Sequence, residues 1–226
     1  MSSPISQPEE LERIYARRFD AETAYRLKVW KVLVEQFFSR HIEPDATVLD
    51  LGCGYGQFIN NVQAARKYAM DMNPRARAFL AEGVTFLEQD CARAWPVLSE
   101  SLDAVFTSNF FEHLPDKRAL SDTLNQAHRC LRPGGRLIAM GPNIRYTHGA
   151  YWDFFDHHLP LTELSMKEAL EISGFRARLI IPRFLPYTMV NAPRYPTGLL
   201  RAYLSMPFIW RCFGQQFLII AGKNEA

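Results

Sequence analysis

The sequence is poor in cysteine and has no paired cysteine motif. Its four cysteines, Cys53, Cys91, Cys130 and Cys212, are spread over 226 residues, and no C-x-x-C occurs among them. This spacing is not that of a disulfide framework. We therefore expect reduced thiols in a cytosolic protein.

Long apolar runs are also absent. No stretch approaches the ~18 uninterrupted apolar residues of a membrane-spanning helix. The most apolar region, 198–222, is interrupted by Arg201, Arg211, Gln215 and Gln216. The first residues, MSSPISQPEELERI, are polar and acidic and do not resemble a secretory signal. We expect a cytoplasmic protein that is at most peripheral to the inner face of the membrane.

The sequence has little net charge, and the charge is unevenly distributed. The total of +2 is too small by itself to indicate a nucleic-acid-binding protein. Residues 176–226 carry seven Lys or Arg and one Glu, a net charge of +6, which leaves −4 on the first 175 residues. With 48% hydrophobic and 22% charged residues and no repeats, the composition is that of a globular protein, and the length favours one domain.

Apolar patterns of two kinds alternate along the chain. Helical spacing and helix-start or helix-stop signals predict helices over 22–40, 57–65, from Asn73-Pro74 onward, 117–131 and 162–173. Short apolar runs predict seven strands: TVLDL (47–51), KYAMD (67–71), VTFLE (84–88), LDAVFTS (102–108), GRLIAMG (135–141), ARLIIPRF (177–184) and QQFLIIAG (215–222). This alternation is typical of an α/β fold with a doubly wound, parallel sheet and helices on both faces.

Three glycines follow the first predicted strand, in VLDLGCGYGQF (48–58). Because glycine has no side chain, these three positions, Gly52, Gly54 and Gly56, permit unusual backbone angles and let a ligand approach the main chain. Such a turn lies at the carboxyl edge of the sheet, where open α/β folds bind ligands. The spacing D-x-G-x-G-x-G departs from the dinucleotide pattern G-x-G-x-x-G, because position 57 is Gln. No Walker lysine follows, so a P-loop is excluded.

The turn closely resembles the first motif of the class I S-adenosylmethionine-dependent methyltransferases. Asp71 ends the second strand 21 residues after Asp50, where this family places an acid on the ribose hydroxyls. Asp90 after VTFLE matches the acid or amide beside the adenine amine. The segments SNFFEHLPD (108–116) and LRPGGRLIAM (131–140) match the family's segments after strand four and before strand five. The resemblance covers about residues 45–175, with the last two strands as weaker support.

The resemblance implies S-adenosylmethionine as cofactor. It also implies a mostly parallel, seven-stranded Rossmann-like sheet with a C-terminal antiparallel strand pair. The residues that would bind the cofactor are Asp50, Gly52, Cys53, Gly54, Gly56, Asp71, Met72, Asp90, Cys91 and Asn109. Asp50 could instead only hold the glycine turn by hydrogen bonds. A Rossmann-like fold with tight turns and no cofactor is the alternative to the whole interpretation.

Three histidines are candidates for a catalytic base, which a hydroxyl acceptor would need. His113, after strand four, has an unperturbed pKa near 6.5, although it could instead cap a helix or pack beneath the cofactor. His157 and His158 lie in the aromatic segment 142–162 after strand five. We expect this segment to cover a pocket, the alternative being a buried loop anchored on the core.

No metal is expected. Some relatives that act on catechols or RNA ends hold a divalent metal with an E-x-x-E-H segment after strand four. Here the segment reads Asn109-Phe-Phe-Glu112-His113, so the first carboxylate is missing. A hard cation prefers several oxygen ligands, which this segment alone does not supply.

These observations predict a methyltransferase that uses S-adenosylmethionine on a small molecule or a lipid- or sugar-linked acceptor. Oxygen is the expected acceptor atom, because no N-P-P-Y-like tetrapeptide follows strand four. N-methylation of an amine or amino sugar is one alternative, and a non-catalytic S-adenosylmethionine-binding partner subunit is another. No nucleic-acid partner is expected, since no basic stripe flanks the pocket motifs.

We expect a single methyltransferase domain with three parts. The first part, the N-terminal lid, contains three candidates to fold over the cofactor, Tyr15, Phe19 and Arg26. The alternative is that they lie on a solvated helix. The parts are an N-terminal helical lid (1–44), a cofactor-binding core (45–175), and the last two strands (176–226) with an aromatic and basic insertion at 185–214.

The insertion combines apolar residues with Arg194, Arg201 and Arg211. This combination suits a peripheral contact with lipid headgroups or a phosphate-bearing acceptor. The alternative is that the insertion packs on the protein's own core or in a homodimer. We expect it to shape the acceptor site and to favour anionic, lipid-linked or polysaccharide-precursor acceptors.

Overall fold

The computed structural model describes residues 23–187 and 194–224. They form a seven-stranded sheet of order β3-β2-β1-β4-β5-β7-β6. The strands are β1 (Thr47–Leu51), β2 (Arg66–Asp71), β3 (Val84–Glu88), β4 (Leu102–Ser108), β5 (Leu131–Pro142), β6 (Phe175–Ile181) and β7 (Gln216–Lys223). Strands β1 to β5 pair in parallel, whereas β7 runs antiparallel to β5 and β6. The predicted fold class is confirmed.

Helices precede β1 and follow β2, β4, β5 and β6, whereas in the described residues β1 runs into β2 and β3 into β4 without one. The α-helices are α1 (Thr23–Gln36), α2 (Lys117–Cys130), α3 (Ile144–Thr147), α4 (Glu163–Ile172), α5 (Thr197–Leu204) and α6 (Pro207–Phe213). Short 3-10 helices span Phe38–His41, Pro74–Phe79, Phe111–His113 and His148–Asp153. Side-chain caps fix the starts of two helices: Asp116 accepts from the Ala119 N–H at 2.8 Å, and Thr162 forms a capping box with Ser165.

Side chains that alternate along the strands build two apolar cores, one on each face of the sheet. In β1, Leu49 and Leu51 belong to one core and Val48 to the other. Helices α2 and α4 cover the first core, where Leu124 and Met166 are fully buried. Helix α1 and the 3-10 helix after it cover the second. Because both faces are covered, ligands must approach at the carboxyl edge of the parallel strands.

The segment after the glycine turn is not the predicted helix. Residues 57–65 form a run of turns and bends. The Asn60 side chain bonds to the backbone of Phe79 and Ala81 at 2.8 and 2.9 Å. The Asn61 side chain bonds to a backbone carbonyl four residues earlier at 2.7 Å. Hydrogen bonds of this kind compete with helical ones, and apolar spacing does not reveal them.

The first predicted helix (22–40) ends at Gln36 and is followed by a 3-10 helix over Phe38–His41. Three further elements differ clearly in their bounds or type. The segment after Asn73-Pro74 is a short 3-10 helix. Strand β5 begins at Leu131 rather than at 135, so the predicted helix stop lies within a strand. Strand β6 ends at Ile181 rather than at 184, because Pro182 follows and has no N–H to continue the ladder.

Parts of the predicted lid and insertion lie outside the described residues. These are residues 1–22, which include Tyr15 and Phe19, and residues 188–193, whereas Arg26 lies on α1. Among the described helices, none has the length and hydropathy to cross a membrane. The division of the chain into lid, core and insertion stays a prediction.

Candidate active site

The glycine turn after β1 contains three left-handed residues. Gly52, Gly54 and Gly56 have φ angles of 70°, 51° and 68°, which residues with side chains rarely adopt. The N–H groups of Gly52 and Cys53 donate to the carbonyl of Met70 in β2 at 2.9 and 3.1 Å. The turn therefore lies across the carboxyl ends of β1 and β2, where a ligand can approach the main chain.

The Asp71 carboxylate ties this turn to the end of β2. Its Oδ2 accepts the Gly54 N–H and its Oδ1 accepts the Asn73 N–H, each at 2.9 Å. Burial raises the pKa of Asp71, and the surrounding backbone N–H groups, including that of Met72, oppose the rise. Asp71 is thus a fixed acceptor at the place where the ribose hydroxyls are expected.

Asp50 lies buried beside Asp71. Burial raises the pKa of Asp50 to about 8; the N–H of Ile59 opposes this rise, and the negative charge of Asp71 adds to it. Since Ile59 lies beyond the glycine turn, its bond to Asp50 holds the two ends of the turn together. This contact supports the alternative in which Asp50 stabilises the turn.

Asp90 and Cys91 form a fixed corner after β3. Asp90 Oδ1 accepts the Ala92 N–H at 2.9 Å, and its Oδ2 lies 3.4 Å from the Arg93 side chain. Cys91 is buried, and its carbonyl accepts the Trp95 indole N–H at 2.8 Å. The predicted contact of Asp90 with the adenine amine stays a prediction.

A cleft opens over the glycine turn. It is lined by Arg26, Trp30, Asp50, Gly52, Cys53, Gly54, Tyr55, Gln57, Phe58, Phe106, Ser108 and Asn109. Five of the predicted cofactor residues are among them, and so is the lid candidate Arg26. Sequence reasoning missed Trp30, Phe58 and Phe106, because their apolar spacing indicates only a core position.

Asn109, at the end of β4, presents an unmatched acceptor at the wall of the cleft. Its φ angle is 49°, a strained conformation for a residue other than glycine. Its Nδ2 donates to Ser108 Oγ at 3.1 Å. Its Oδ1 is buried and has no protein partner among residues 23–187 and 194–224. Buried acceptors are normally satisfied, so a donor on a bound ligand would complete this site.

A polar cluster adjoins the cofactor turn. Glu112, His113 and His157 each contribute one side-chain atom, and these three atoms lie within 4.8 Å of one another. His113 Nδ1 lies 3.0 Å from the carbonyl oxygen and 3.1 Å from Oδ2 of Asp156. The buried ring of Tyr151 lies 4.7 Å from that of His157. The structure thus brings together two predicted histidines, Tyr151 of the aromatic segment that was expected to cover a pocket, and Asp156, which the sequence did not indicate.

Burial and neighbouring charges set the electrostatics of this cluster. Burial raises the pKa of Glu112 to about 7, although His113 opposes the rise. Burial lowers the pKa of His113, but Asp156 and Glu112 outweigh this effect, so that the pKa lies above its usual value. His113 is close enough to Asp71 to lower the pKa of that carboxyl. The cluster and the predicted ribose site are therefore electrostatic neighbours.

His158 has a different position from the other two histidines. Its side chain is exposed, and its backbone N–H donates to the Glu112 carbonyl at 2.8 Å. The Leu159 N–H donates to the same carbonyl at 3.0 Å. These bonds fasten the loop after β5 to the segment after β4 and so place His157 beside His113.

Comparisons with known proteins agree with this geometry. Residues 49–139 match the family model described as a methyltransferase domain. No curated protein matches the sequence. One similar solved structure is a chain of the Haloferax volcanii complex between the Trm112 methyltransferase activator and a methyltransferase. It is 18% identical to this chain, with a TM-score of 0.68, and the match covers 99% of this chain and 100% of that chain.

Two further solved structures share the fold. An S-adenosylmethionine-dependent methyltransferase from Archaeoglobus fulgidus is 21% identical, with a TM-score of 0.66. The match covers 90% of this chain and 98% of that chain. The other is the geranyl diphosphate C-methyltransferase of Streptomyces coelicolor, solved with Mg²⁺, geranyl diphosphate and S-adenosylhomocysteine. It is 16% identical, with a TM-score of 0.60, and the match covers 84% of this chain and 76% of that chain. At these identities the likeness shows the fold alone.

Residues 49–139 match a methyltransferase domain, and the sheet order and the glycine turn are those that the resemblance to class I methyltransferases implied. The chain is a S-adenosylmethionine-dependent methyltransferase, and S-adenosylmethionine is its cofactor. The residues present fit this molecule. Gly52 and Gly54 line the cleft with positive φ angles, the Asp71 carboxylate stands at the strand end, and Asn109 Oδ1 offers an unmatched acceptor.

Asp71→Ala should weaken S-adenosylmethionine binding by about 10- to 100-fold, because hydrogen bonds to a charged group contribute about 1.5–3 kcal/mol. Isothermal titration calorimetry measures the effect. Glu88→Ala is the matched control, since Glu88 is an exposed acid that pairs with Asp71 in the register of β2 and β3. Unchanged binding by Asp71→Ala would show that the ribose does not bind at the end of β2.

Gly54→Val should lower cofactor affinity by about tenfold or more, because a β-branched residue at a positive φ costs about 1–3 kcal/mol of strain where the cofactor binds. Gly83→Val is the control: Gly83 also has a positive φ of 83°, but an added Cβ would meet no atom within 4 Å. The control should lose stability and keep its affinity. A wild-type dissociation constant for Gly54→Val would contradict the placement of the cofactor on this turn.

Proposed function

We propose that this methyltransferase methylates an oxygen atom of a small molecule or of a lipid- or sugar-linked acceptor. The observation that carries the proposal is the pair of His113 and Asp156 beside the cofactor turn. A hydroxyl must lose its proton as it is methylated, and a histidine held by a carboxylate can accept it. S-adenosylmethionine supplies a methyl group on a sulfonium, while the protein aligns the acceptor and excludes water.

The contacts of His113 favour it over His157 as the group that meets the acceptor. Its Nδ1 faces the Asp156 carbonyl and carboxylate, which leaves Nε2 for the acceptor. The His113 side chain is 29% exposed, whereas His157 is only 6% exposed. His157 stacks on Phe154, with ring centroids 4.9 Å apart, and supports the cluster from within.

The loop after β5 supports an acceptor with an apolar part. Trp152 and Phe155 are 58% and 87% exposed, which is unusual for large aromatic side chains beside a ligand edge. Tyr151 is fully buried, and its ring lies 4.9 Å from that of Trp152. N-methylation of an amine or amino sugar remains the alternative, so an acceptor screen should include both hydroxyl and amine compounds and detect released S-adenosylhomocysteine.

With an acceptor from that screen, His113→Ala should lower kcat by about 10²-fold, the usual scale for removal of a general base. Cofactor affinity should stay near that of the wild type. His158→Ala is the matched control, since that side chain is exposed and outside the cluster, and it should keep most of the activity. Full activity of His113→Ala and His157→Ala would contradict a histidine base.

The described part of the insertion is anchored to the protein on one side. Leu204 and Trp210 are buried in the second core. The Tyr25 hydroxyl on α1 bonds to both the carbonyl and the N–H of Tyr195, each at 3.1 Å. Because α1 also lines the cleft, the insertion is well placed to influence what reaches the acceptor side.

The other side of the insertion supports contact with an anionic acceptor or membrane surface. Leu199, Phe208 and Phe213 are 58%, 71% and 64% exposed. Arg201 and Arg211 are exposed among them, although Arg201 also lies 3.3 Å from an acid on α1. Exposed apolar and cationic side chains together favour lipid headgroups or a phosphate-bearing acceptor.

Liposomes that contain anionic lipid should co-sediment with the wild type at low salt and less at physiological salt, because screening weakens surface attraction. Arg201→Glu/Arg211→Glu should abolish this binding. Lys117→Glu/Arg118→Glu is the control, since it makes the same charge change on exposed residues of α2. Absence of lipid binding in the wild type, with full activity of the insertion variant, would assign the insertion to packing alone.

A further inference from the structure

We propose that Glu112, His113 and His157 form a binding site for a divalent transition metal, with Zn²⁺ as the best-matched ion. One ligand-type atom from each residue lies within 4.8 Å of the other two. Two atoms bonded to one zinc ion at about 2.1 Å each are at most about 4.2 Å apart. A small adjustment of the side chains therefore brings all three into coordination distance.

The ligand types select among cations. Two imidazole nitrogens and one carboxylate form the ligand set of many zinc sites that keep an open position for water or substrate. Imidazole suits Zn²⁺ and its transition-metal neighbours, whereas Mg²⁺ and Ca²⁺ prefer oxygen ligands alone. The cluster therefore favours zinc over the alkaline-earth ions.

A second layer of contacts holds the ligands in place. Metal-binding histidines usually direct their other ring nitrogen to a carboxylate or carbonyl, which fixes the ring. His113 shows this arrangement, since its Nδ1 meets both the carbonyl and the carboxylate of Asp156. Phe154 stacks on the His157 ring at 4.9 Å and 20°. Asp156 would therefore act as a positioning residue rather than as a ligand.

The charge of the cluster also points to a cation. Glu112 is 3% exposed and the Asp156 side chain is 10% exposed, so two carboxyl groups are buried close to one another. His113 is a positive partner for both carboxyl groups, and a bound cation would compensate further for their burial. His157 comes from the loop after β5, which the backbone bonds from His158 and Leu159 hold against Glu112.

The expectation of no metal rested on Asn109, which stands where relatives have a carboxylate. It took no account of His157, because that residue belongs to a different segment. A metal ion in this position would polarise an acceptor oxygen and lower the pKa of a bound hydroxyl. The zinc site is the same site as that of the proposed function: in the zinc-bound protein His113 would be a ligand, and in the zinc-free protein it would be the base, so its loss lowers turnover in both.

The test uses the full chain with Cys212→Ser, which removes the exposed thiol as a competing zinc ligand. The protein is treated with chelator and titrated with Zn²⁺ without cofactor or acceptor. We expect one ion per chain and a rise in melting temperature, and millimolar Mg²⁺ should not displace the zinc. Binding is measured apart from turnover, so a failed acceptor screen leaves this result intact.

Three variants locate the site. His157→Phe keeps an aromatic ring against Phe154 and removes both nitrogens, so Zn²⁺ affinity should fall by about 100-fold or more. Asp156→Asn should lower it by about 10-fold, as for other groups that orient a ligand. His158→Phe, the same change at the neighbouring exposed position, should bind zinc like the parent.

Unaltered cofactor affinity shows that each variant is folded, and Glu112→Gln replaces His157→Phe if that variant does not fold. Equal zinc affinity of the parent and the ligand variants would overturn the proposal. So would a parent protein that binds no zinc.

Discussion

The Asp71 carboxylate is the contact on which the rest of the cofactor site depends. It accepts the N–H of Gly54 with one oxygen and that of Asn73 with the other. Asn73 in turn caps the 3-10 helix after β2, because its side chain accepts from the Arg75 N–H at 3.0 Å. One carboxylate therefore sets both the turn after β1 and the connection after β2. Without it, backbone donors at a buried strand end would lose their partners.

The cofactor turn and the polar cluster form a connected unit. A Cβ on Gly52 would overlap the ring of Phe110, so glycine at this position lets the turn pack against the segment after β4. That segment continues into Glu112 and His113. A Cβ added to Gly141, near the end of β5, would lie 3.5 Å from a carboxylate oxygen of Glu112, so these two residues are close neighbours. The segment after β4 thus contacts both the turn after β1, through Phe110, and the end of β5, through Glu112.

Much of this site follows from the sequence, because its parts are local. Strands β1, β3 and β4 have the predicted bounds, since apolar runs between turn residues define them. The glycine turn was predicted from its spacing, and the role of Asp71 was predicted from the resemblance to the methyltransferase family. The contact of His157 with His113 could not be found from local patterns, because it depends on how the loop after β5 folds back onto Glu112. The turns at 57–65 were missed because the side-chain bonds of Asn60 reach a distant connection.

The central claim is that S-adenosylmethionine binds across the ends of β1 and β2. A crystal structure of the chain with S-adenosylhomocysteine tests this claim most directly. The account predicts the amino acid part of the ligand against the main chain of Gly52 and Gly54, with both ribose hydroxyls within hydrogen-bond distance of Asp71. A ligand bound elsewhere on the sheet, or in this cleft without contact to Asp71, would contradict it.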